Sequence, residues 1–337
     1  MSSRLTDLKF LVTGGAGFIG SHTCELLIKT GFQVRVLDNL KGGRSKNLNS
    51  VANSPLFEFV EGDILNELHL KSCLKGITHV IHFAGIGEIV PSINSPIEYL
   101  EVNVLGTAKL LEACRTAQVE SFVYAASSSC YGLASTPTNE DAPIDLKHPY
   151  AVSKYLGEQL SLKWHEIYGL PTKSIRIFNA YGRRVRTSGT YGAVLGVFLK
   201  QKIENRPLTV VGDGNQIRDY VHVTDVANAF LRAALSTKNG RVWNLGSGVG
   251  TSIKRLVEIL ESEFVNIPDR PGEPKETLAD ISRITAELDW SPLVSFEEGL
   301  SEVIRNIHEW KDAPLWEPEN IAQATENWFQ ILNRNER

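Results

Sequence analysis

The stretch Val12-Thr13-Gly14-Gly15-Ala16-Gly17-Phe18-Ile19-Gly20-Ser21-His22 constrains the fold more than any other part of the chain. Phe10-Leu11-Val12 leads into it, an apolar run suited to a strand buried on both faces. Ile19, Leu26 and Leu27 then begin a helical pattern that stops at Gly31. Strand, glycine cluster and helix in that order predict the βα turn of a dinucleotide-binding fold. Glycines permit the tight turn and let the backbone approach a pyrophosphate, while the helix N-terminus turns free N–H groups and positive potential toward it. Many glycine loops serve only as turns, so the surroundings decide. Here a second strand, Gln33 to Leu37, ends at Asp38, whose carboxylate is placed to accept from ribose hydroxyls.

The alternation continues. A strand from Leu56 to Val60 runs into Gly62-Asp63-Ile64, a short helix covers Leu68 to Leu74, and a strand spans Val80 to Gly85. A longer amphipathic helix is predicted from about Ile97 to Ala117, then a strand, Phe122 to Ala126, that opens into Ser127-Ser128-Ser129-Cys130-Tyr131-Gly132. This rhythm predicts an α/β fold with a doubly wound parallel sheet, whose ligands sit beyond the carboxyl ends of the strands. Gly14, Asp38, Asp63, Gly85 and Ser127 all fall at such ends. After a polar loop (Leu133 to Lys147), a helix starts near Pro149 and buries Val152, Leu156, Leu160, Trp164 and Ile167. Gly169 and Pro171 end it, and a strand from Ser174 to Phe178 stops at Asn179.

Beyond Asn179 the rhythm changes. Glycines and arginines crowd Tyr181 to Gly192, Gly212-Asp213-Gly214-Asn215 reads as a turn, and a strand from Val242 leads to Asn244-Leu245-Gly246-Ser247-Gly248. Trp310, Trp316 and Trp328 stand in a mostly polar helical tail. At 337 residues the chain exceeds one typical domain. The expected division is a dinucleotide-binding domain of residues 1–179 and about 218–248, with a smaller lobe of about 180–217 and 249–337.

Hydrophobic content of 42% and charged content of 22% are ordinary for a soluble globular protein, and the net charge of −4 argues against nucleic-acid or anionic-membrane partners. Cys24, Cys73, Cys114 and Cys130 are scattered without a C-x-x-C pair, which suits reduced thiols in a cytoplasmic protein and predicts neither disulfides nor a metal site. Arg4, Asp7 and Lys9 leave no room for a signal-peptide core before the glycine turn. No apolar run approaches the roughly 18 residues of a membrane span.

Tyr150-Ala151-Val152-Ser153-Lys154 puts a phenol and an ammonium one turn apart on the same helical face. A free tyrosine titrates at about pH 10 and is a poor base at neutral pH. The lysine favours the phenolate, and a positive nicotinamide ring nearby would push the same way. A surface Tyr and Lys can share this spacing by chance. The glycine turn upstream and Ser127 at a strand end favour the catalytic reading.

With these motifs in view, the chain resembles the extended short-chain dehydrogenase/reductases and, within them, the nucleotide-sugar 4-epimerases. The resemblance runs from Thr13 to about Pro292 and rests on the spacing Gly14-x-x-Gly17-x-x-Gly20, Asp38-Asn39-Leu40, Gly62-Asp63-Ile64 and His82-Phe83-Ala84-Gly85. It continues through Asn103-x-x-Gly106-Thr107, Ser127 to Gly132, Tyr150 to Lys154 and Arg176-Ile177-Phe178-Asn179-x-Tyr181-Gly182. Gly212-Asp213-Gly214, Arg218 to Val223, Asn244-Leu245-Gly246 and Arg270-Pro271-Gly272-Glu273 complete it.

The resemblance implies a Rossmann sheet with a C-terminal substrate-binding lobe, a homodimer built on the helices Ile97 to Ala117 and Tyr150 to Tyr168, and tightly held NAD. Gly14, Gly17, Phe18, Ile19 and Gly20 would cradle the cofactor, Asp38 and Asn39 its ribose side, and Asp63 and Ile64 its adenine. Phe83, Ala84, Gly85, Asn103, Tyr150 and Lys154 would complete that site. Asp38 favours NAD because a carboxylate repels a 2′-phosphate, while Lys41 and Arg44 leave NADP open. Tyr150 would take the proton from the sugar 4-hydroxyl as hydride leaves carbon 4, and hydride would return to the other face of the 4-keto sugar. Lys154 would tune Tyr150 and hold the nicotinamide ribose, and Ser127 would hydrogen-bond the reacting oxygen.

A UDP-sugar is the favoured substrate, held by Ser128, Asn179, Arg218, Arg270 and Glu273. A position just before Ala279-Asp280 lies against the sugar 2-substituent; it is tyrosine in hexose-only members and smaller in those that take N-acetylhexosamines. Counting from Glu273 and Asp280 gives Thr277. His82 and His222 are expected to be satisfied core histidines. Where 4,6-dehydratases carry Asp and Glu, this chain has Ser128 and Ser129, which disfavours dehydration and decarboxylation. Ile86-Gly87-Glu88 stands where well-known 4-epimerases place a lysine, and nothing in the sequence explains Cys130. Epimerisation at another carbon, a CDP-, GDP- or dTDP-sugar, and a cofactor-sensing binding protein are the alternatives. Such binding proteins usually lose the Tyr–Lys pair, which is intact here.

Overall fold

Seven parallel strands form the central sheet of the protein, seen in a computed structural model that describes residues 8–185 and 194–332. In chain order the strands are β1 (Lys9–Thr13), β2 (Gln33–Asp38), β3 (Phe57–Glu61), β4 (His79–His82), β5 (Ser121–Ser127) and β6 (Thr172–Ile177). There follow β7 (Asn179–Tyr181), β8 (Leu208–Val211), β9 (Ile217–His222), β10 (Arg241–Leu245), β11 (Gly250–Ser252) and β12 (Phe264–Ile267). The central sheet runs β10-β6-β5-β4-β1-β2-β3, every neighbouring pair parallel. Strand order reverses between β1 and β4, and that switch point is where an open α/β sheet offers its ligand crevice.

Burial on both faces explains why these strands read as continuous apolar runs. Phe10 and Val12 enter one hydrophobic cluster and Leu11 the other; Val123 and Ala125 oppose Phe122, Tyr124 and Ala126 in the same way. The covering helices are α1 (Phe18–Lys29), α2 (Thr107–Thr116), α3 (Pro149–Tyr168) and α4 (Val223–Leu235). Cys24 and Leu27 of α1 and Val226 and Phe230 of α4 pack on one face. Leu110 and Leu111 of α2, with Leu160 and Trp164 of α3, pack on the other, whereas Leu156 and Ile167, expected on the buried face of α3, are exposed because small residues such as Gly157 and Ser161 make the close contact instead. A one-residue slip in any strand would exchange the two sets of side chains, so register is fixed by both cores at once.

At Phe178 the chain leaves this sheet. β7 pairs with β9 in parallel, β9 pairs with β11 antiparallel, and β8 pairs with β12 in parallel. A separate cluster joins Tyr181, Phe198, Leu208, Leu256 and Trp310, and the last helix, α5 (Pro318–Leu332), adds Ile321 to it. Between these segments α4 and β10 return to the central sheet, so the two cores are built from interleaved stretches of chain. Of the glycine- and arginine-rich run Tyr181 to Gly192, the part beyond Val185 lies outside the described residues, as do Arg4, Asp7 and the tail beyond Leu332.

The single helix expected over Ile97 to Ala117 is instead three pieces: Pro96–Leu100, a π-helical turn at Glu101–Gly106, and α2. Asn103 sits in the wide turn. Its Oδ1 accepts from the Ile86 N–H (2.8 Å), and its Nδ2 donates to the Ile86 carbonyl (3.0 Å) and to Ser153 Oγ (2.9 Å). That amide ties the loop after β4 to α3, and the expansion of the helix is what aims it there. No helix among the described residues is long and apolar enough to cross a membrane. All four cysteines are free and buried.

His82 lies between Thr13 Oγ1 (2.7 Å) and Thr107 Oγ1 (3.0 Å), a satisfied core histidine. Burial holds its pKa down at about 3, and holds His79 and His148 at about 4. Against 6.5 for a free imidazole, the unfolded chain takes up these protons first. The stability they contribute is complete above pH 6.5 and is lost as pH falls through the folded values. The urea midpoint is therefore expected to drop between pH 7 and pH 4.5, with a shallower slope in His82→Gln; equal slopes in variant and wild type would contradict this.

Candidate active site

The glycine turn lies against the loop after β4. Gly14 has φ +70°, and a Cβ there would sit 2.6 Å from the Ala84 nitrogen. Only glycine combines that conformation with that approach. Gly17 is the N-cap of α1, so Phe18 and Ile19 place the first free N–H groups of the helix at the mouth of the turn. Asp38, at the end of β2, accepts from the Ala16 N–H (2.9 Å) through one oxygen and the Leu40 N–H (2.8 Å) through the other. Burial raises its pKa and the two N–H groups oppose the rise. Each oxygen keeps further acceptor capacity, which suits a ribose diol.

Beside it, Asn39 Nδ2 donates to Asp63 Oδ2 (2.9 Å), while Asp63 Oδ1 accepts from the Leu65 N–H (2.9 Å). Burial works upward on Asp63, but these bonds hold it below the usual carboxylate range. Ile64 packs on Gly106 in the π-helical turn, where a Cβ would lie 2.6 Å from its Cδ1. Arg44 turns toward the carbonyls of Arg184 and Val185 (3.4 and 3.5 Å). Phe83 points away from the crevice and packs on Phe230 at 4.5 Å, so that residue serves the site through its backbone. Asn103 likewise spends both Nδ2 protons on protein partners and positions the loop around Gly85.

Tyr150 and Lys154 lie on one face of the first turns of α3, with Ser127 at the end of β5. Burial pushes the Tyr150 phenol above its ordinary value, a hydrogen bond with Ser127 works against that rise, and Glu88 and Cys130 add to it. Burial lowers Lys154 to about 7, opposed by Glu158. The Lys154 ammonium stands 4.5 Å above the Tyr124 ring. A Cβ at Gly85 would lie in ordinary contact with the Lys154 Nζ (3.9 Å) but only 2.8 Å from Asn103 Oδ1, so the amide is what a side chain there would crowd. Lys154 is expected to favour the Tyr150 phenolate; burial works against the charged form of each group. Ser127 Oγ also accepts from the Ser129 N–H (3.2 Å) and donates to Ser129 Oγ (3.1 Å).

The second group of residues also converges. Arg218 donates to Glu273 (2.8 Å), and Arg270 approaches the other Glu273 oxygen at 3.4 Å. Thr277 Oγ1 donates to Asn179 Oδ1 (3.3 Å). Thr277 and Ser128 line one small cavity with Tyr131, Gly132, Ala134 and Thr138. The strand-like bonds Thr277 N–H to Ile217 O (3.0 Å) and Thr138 N–H to Leu278 O (2.8 Å) hold this loop across the gap.

Several site-building residues escaped the sequence reading. Arg176 on β6 forms a bidentate pair with Glu158 on α3 (2.9 and 2.7 Å), one turn beyond Lys154. Asp219 accepts from Ser247 Oγ (2.7 Å) and from the Gly248 (3.1 Å) and Ala279 (3.0 Å) N–H groups, fixing the Thr277 loop. The Tyr220 hydroxyl is buried without a hydrogen-bond partner among the described residues, in the field of Arg218 and Glu273. Asp219 and Tyr220 sat inside a recognised motif; only their distant partners reveal their use. His222 departs from expectation: Nδ1 bonds Thr224 Oγ1 (2.7 Å), but Nε2 has only an ionic neighbour, Glu302 at 3.6 Å.

A glycine cradle at the switch point with a half-buried Tyr150 and the buried Lys154 and Ser127 beside it defines a nicotinamide-dependent short-chain dehydrogenase/reductase. Residues 10–246 match the model of the NAD dependent epimerase/dehydratase family, and the chain belongs to that family. A UDP-glucose 4-epimerase of Mycolicibacterium smegmatis is 35% identical over 308 residues, covering 88% of this chain and 97% of that protein. The structure of UDP-glucuronic acid 4-epimerase from Bacillus cereus, in complex with UDP-glucuronic acid and NAD, superimposes with a TM-score of 0.84 at 34% identity, over 90% of this chain and 99% of that one. The UDP-N-acetylglucosamine 4-epimerase of Methanobrevibacter ruminantium M1, in complex with UDP-N-acetylmuramic acid, gives a TM-score of 0.84 at 32% identity over 90% and 97%. NAD is the cofactor of this family, and the close-approach glycines with Asp38 at the ribose side fit it.

Proposed function

We propose that this protein is an NAD-dependent epimerase that inverts carbon 4 of a UDP-hexose through a 4-keto intermediate. The observation that carries the reading is the half-buried Tyr150 with the buried Lys154 and Ser127 beside the glycine cradle, and Arg218, Arg270 and Glu273 gathered as a second group. Bound nicotinamide supplies the hydride acceptor and donor, so oxidation and reduction close within one turnover. Tyr150 takes the 4-hydroxyl proton and returns it; Ser127 hydrogen-bonds the same oxygen and orients the ring. Lys154, one turn along α3, tunes Tyr150 and holds the nicotinamide ribose, and its protonated form together with the nicotinamide charge would offset the burial that raises the phenol. Arg218 and Arg270 hold the diphosphate, whose oxygens share them with Glu273, and the Tyr220 hydroxyl is an additional donor there.

Ser128 and Ser129 carry no carboxylate for eliminating water or carbon dioxide, which sets the reading against the dehydratase chemistry of the family. The assay is a panel of nucleotide sugars read by NMR, on protein purified without added cofactor. Denatured enzyme should release NAD, and turnover should consume none. Tyr150→Phe keeps the ring and loses the proton acceptor, so kcat should fall by about 10² or more with UDP affinity nearly unchanged. Retained activity, or release of NADP alone, would reject the mechanism.

The half-exposed apolar side chains Ile97, Leu105, Leu156 and Ile167 lie on the pieces of the 96–116 helix and on α3. Pairing of these faces about a two-fold axis makes a homodimer. Light scattering at micromolar concentration should give the mass of two chains; a monomer would overturn this.

Thr277 leaves room beside the sugar 2-position, and its place in one cavity with Ser128 supports a substrate range that includes UDP-N-acetylhexosamines. The UDP-N-acetylglucosamine 4-epimerase relative agrees with that range. Thr277→Tyr should abolish use of 2-acetamido sugars while sparing UDP-glucose. A wild type inactive on UDP-GlcNAc and UDP-GalNAc would refute the size argument, and equal losses on both sugar classes would assign Thr277 to loop structure instead.

A further inference from the structure

The helix α5 sits across the gap between the two cores. Its first half belongs to the second cluster through Ile321, and the chain before it is anchored where Gln201 Nε2 donates to the Trp316 carbonyl (2.6 Å). Its second half reaches the other side. Asn327 Nδ2 donates to Asn94 Oδ1 (2.7 Å), on the short helix Val90–Asn94 that follows β4. Trp328, 6% exposed, makes two contacts that matter for chemistry. Its Nε1–H donates to the Pro271 carbonyl (3.0 Å), inside the Arg270–Glu273 loop. Its ring lies 5.7 Å from the His148 imidazole, which is parallel to the Tyr150 ring within 6° at 6.0 Å. His148 is itself fixed: its Nδ1 caps α3 by accepting from the Ala151 N–H (3.2 Å).

We propose that Trp328 is a positioning residue that couples the nucleotide-binding loop to Tyr150, so that α5 forms a working wall of the active site. This rests on the assignment of Arg270 and Glu273 to the nucleotide and of Tyr150 to the proton. The indole N–H sets where Pro271 lies, and with it the two side chains that flank the turn. The indole ring backs His148, whose imidazole lies parallel to the Tyr150 ring and fixes one side of its surroundings. One side chain thus links substrate affinity to the placement of the catalytic phenol. A tryptophan serving only as core would affect the amount of folded enzyme and leave KM unchanged.

The test uses the full chain with NAD, with UDP as binding probe and UDP-glucose as substrate. Trp328→Phe keeps a ring against His148 and deletes the donor to Pro271. Its Kd for UDP and KM for UDP-glucose should rise about two- to tenfold, the worth of one hydrogen bond, with kcat within about twofold. His148→Asn keeps a capping acceptor and removes the stacked ring, so kcat should fall while UDP affinity holds. Trp328→Ala should show both effects, and if it fails to fold, the phenylalanine variant decides. UDP affinity and KM unchanged in Trp328→Phe would overturn the proposal, as would losses in every variant that track thermal stability alone. A wild type that binds UDP but turns over no nucleotide sugar would sink the functional reading and leave Trp328 to be judged by UDP affinity. A wild type that binds no UDP would overturn both.

Discussion

The buried ion pair between Arg176 and Glu158 is the contact on which the arrangement of the site depends. Both side chains are nearly inaccessible, at 6% and 1% exposure, and the guanidinium meets the carboxylate through two hydrogen bonds. Arg176 belongs to β6 and Glu158 to α3, so the pair locks the helix bearing Tyr150 and Lys154 onto the sheet. The remaining guanidinium nitrogen donates to the Tyr131 hydroxyl (2.7 Å), which donates to Asn244 Oδ1 on β10 (2.7 Å). One arginine therefore sets α3, the turn after Ser127 and the edge strand β10 relative to one another. Removing either partner would strand a charge in the core, at a cost of about 3–5 kcal/mol. The well-paired geometry, with Ser174 Oγ also donating to Glu158 (3.1 Å), is what makes the burial tolerable.

The same dryness governs the reactive groups. Tyr150 is harder to ionise than a free phenol and Lys154 easier to discharge than a free amine, because burial disfavours the charged form of each. Neither shift favours a resting phenolate. A site built this way becomes basic when a positive charge is brought against Tyr150, and in low dielectric that charge acts strongly. Water exclusion and coupling of base strength to occupancy then have one cause. Glu88, which adds to the rise at Tyr150, works in the same direction.

Local pattern carried much of this into the sequence. The glycine turn, the strand ends at Asp38, Asp63, Gly85 and Ser127, and the Tyr150–Lys154 spacing each depend on residues within a few positions, and the folded chain places them along one edge of the sheet. The π-helical turn at Glu101–Gly106 was not legible, because its cause is Asn103 meeting Ile86 and Ser153, partners 17 and 50 residues away. The small sheets of the second core were missed for a related reason. β7 has three residues and β11 three, too few to show a period, and they exist only because β9 pairs with both. The Trp-bearing tail could be read as helical but not placed, since Trp328 finds its partners at Pro271 and His148.

The interleaving of the two cores sets the proposed chemistry and the proposed recognition on different elements. The groups proposed to handle the proton stand on α3 and at the end of β5, inside the network that Arg176 closes. The recognition residues hang from β9, where Asp219 gathers Ser247, Gly248 and Ala279, and from the loop that Ile217 and Thr138 hold in register. A change of side-chain size at Thr277 alters the space beside Ser128 without touching the Glu158 carboxylate or the capping of α3. On the proposed roles, a change of charge at Ser128 or Ser129 would do the reverse, placing an acid or base against the sugar while Arg218, Arg270 and Glu273 stayed as they are. The two sets are joined where Asn244 Nδ2 donates to the Thr138 carbonyl (2.9 Å) and where Trp328 meets Pro271 and His148, so the chemistry proposed for the turn after β5 and the recognition proposed for the loops carried by β9 share one framework while resting on different residues.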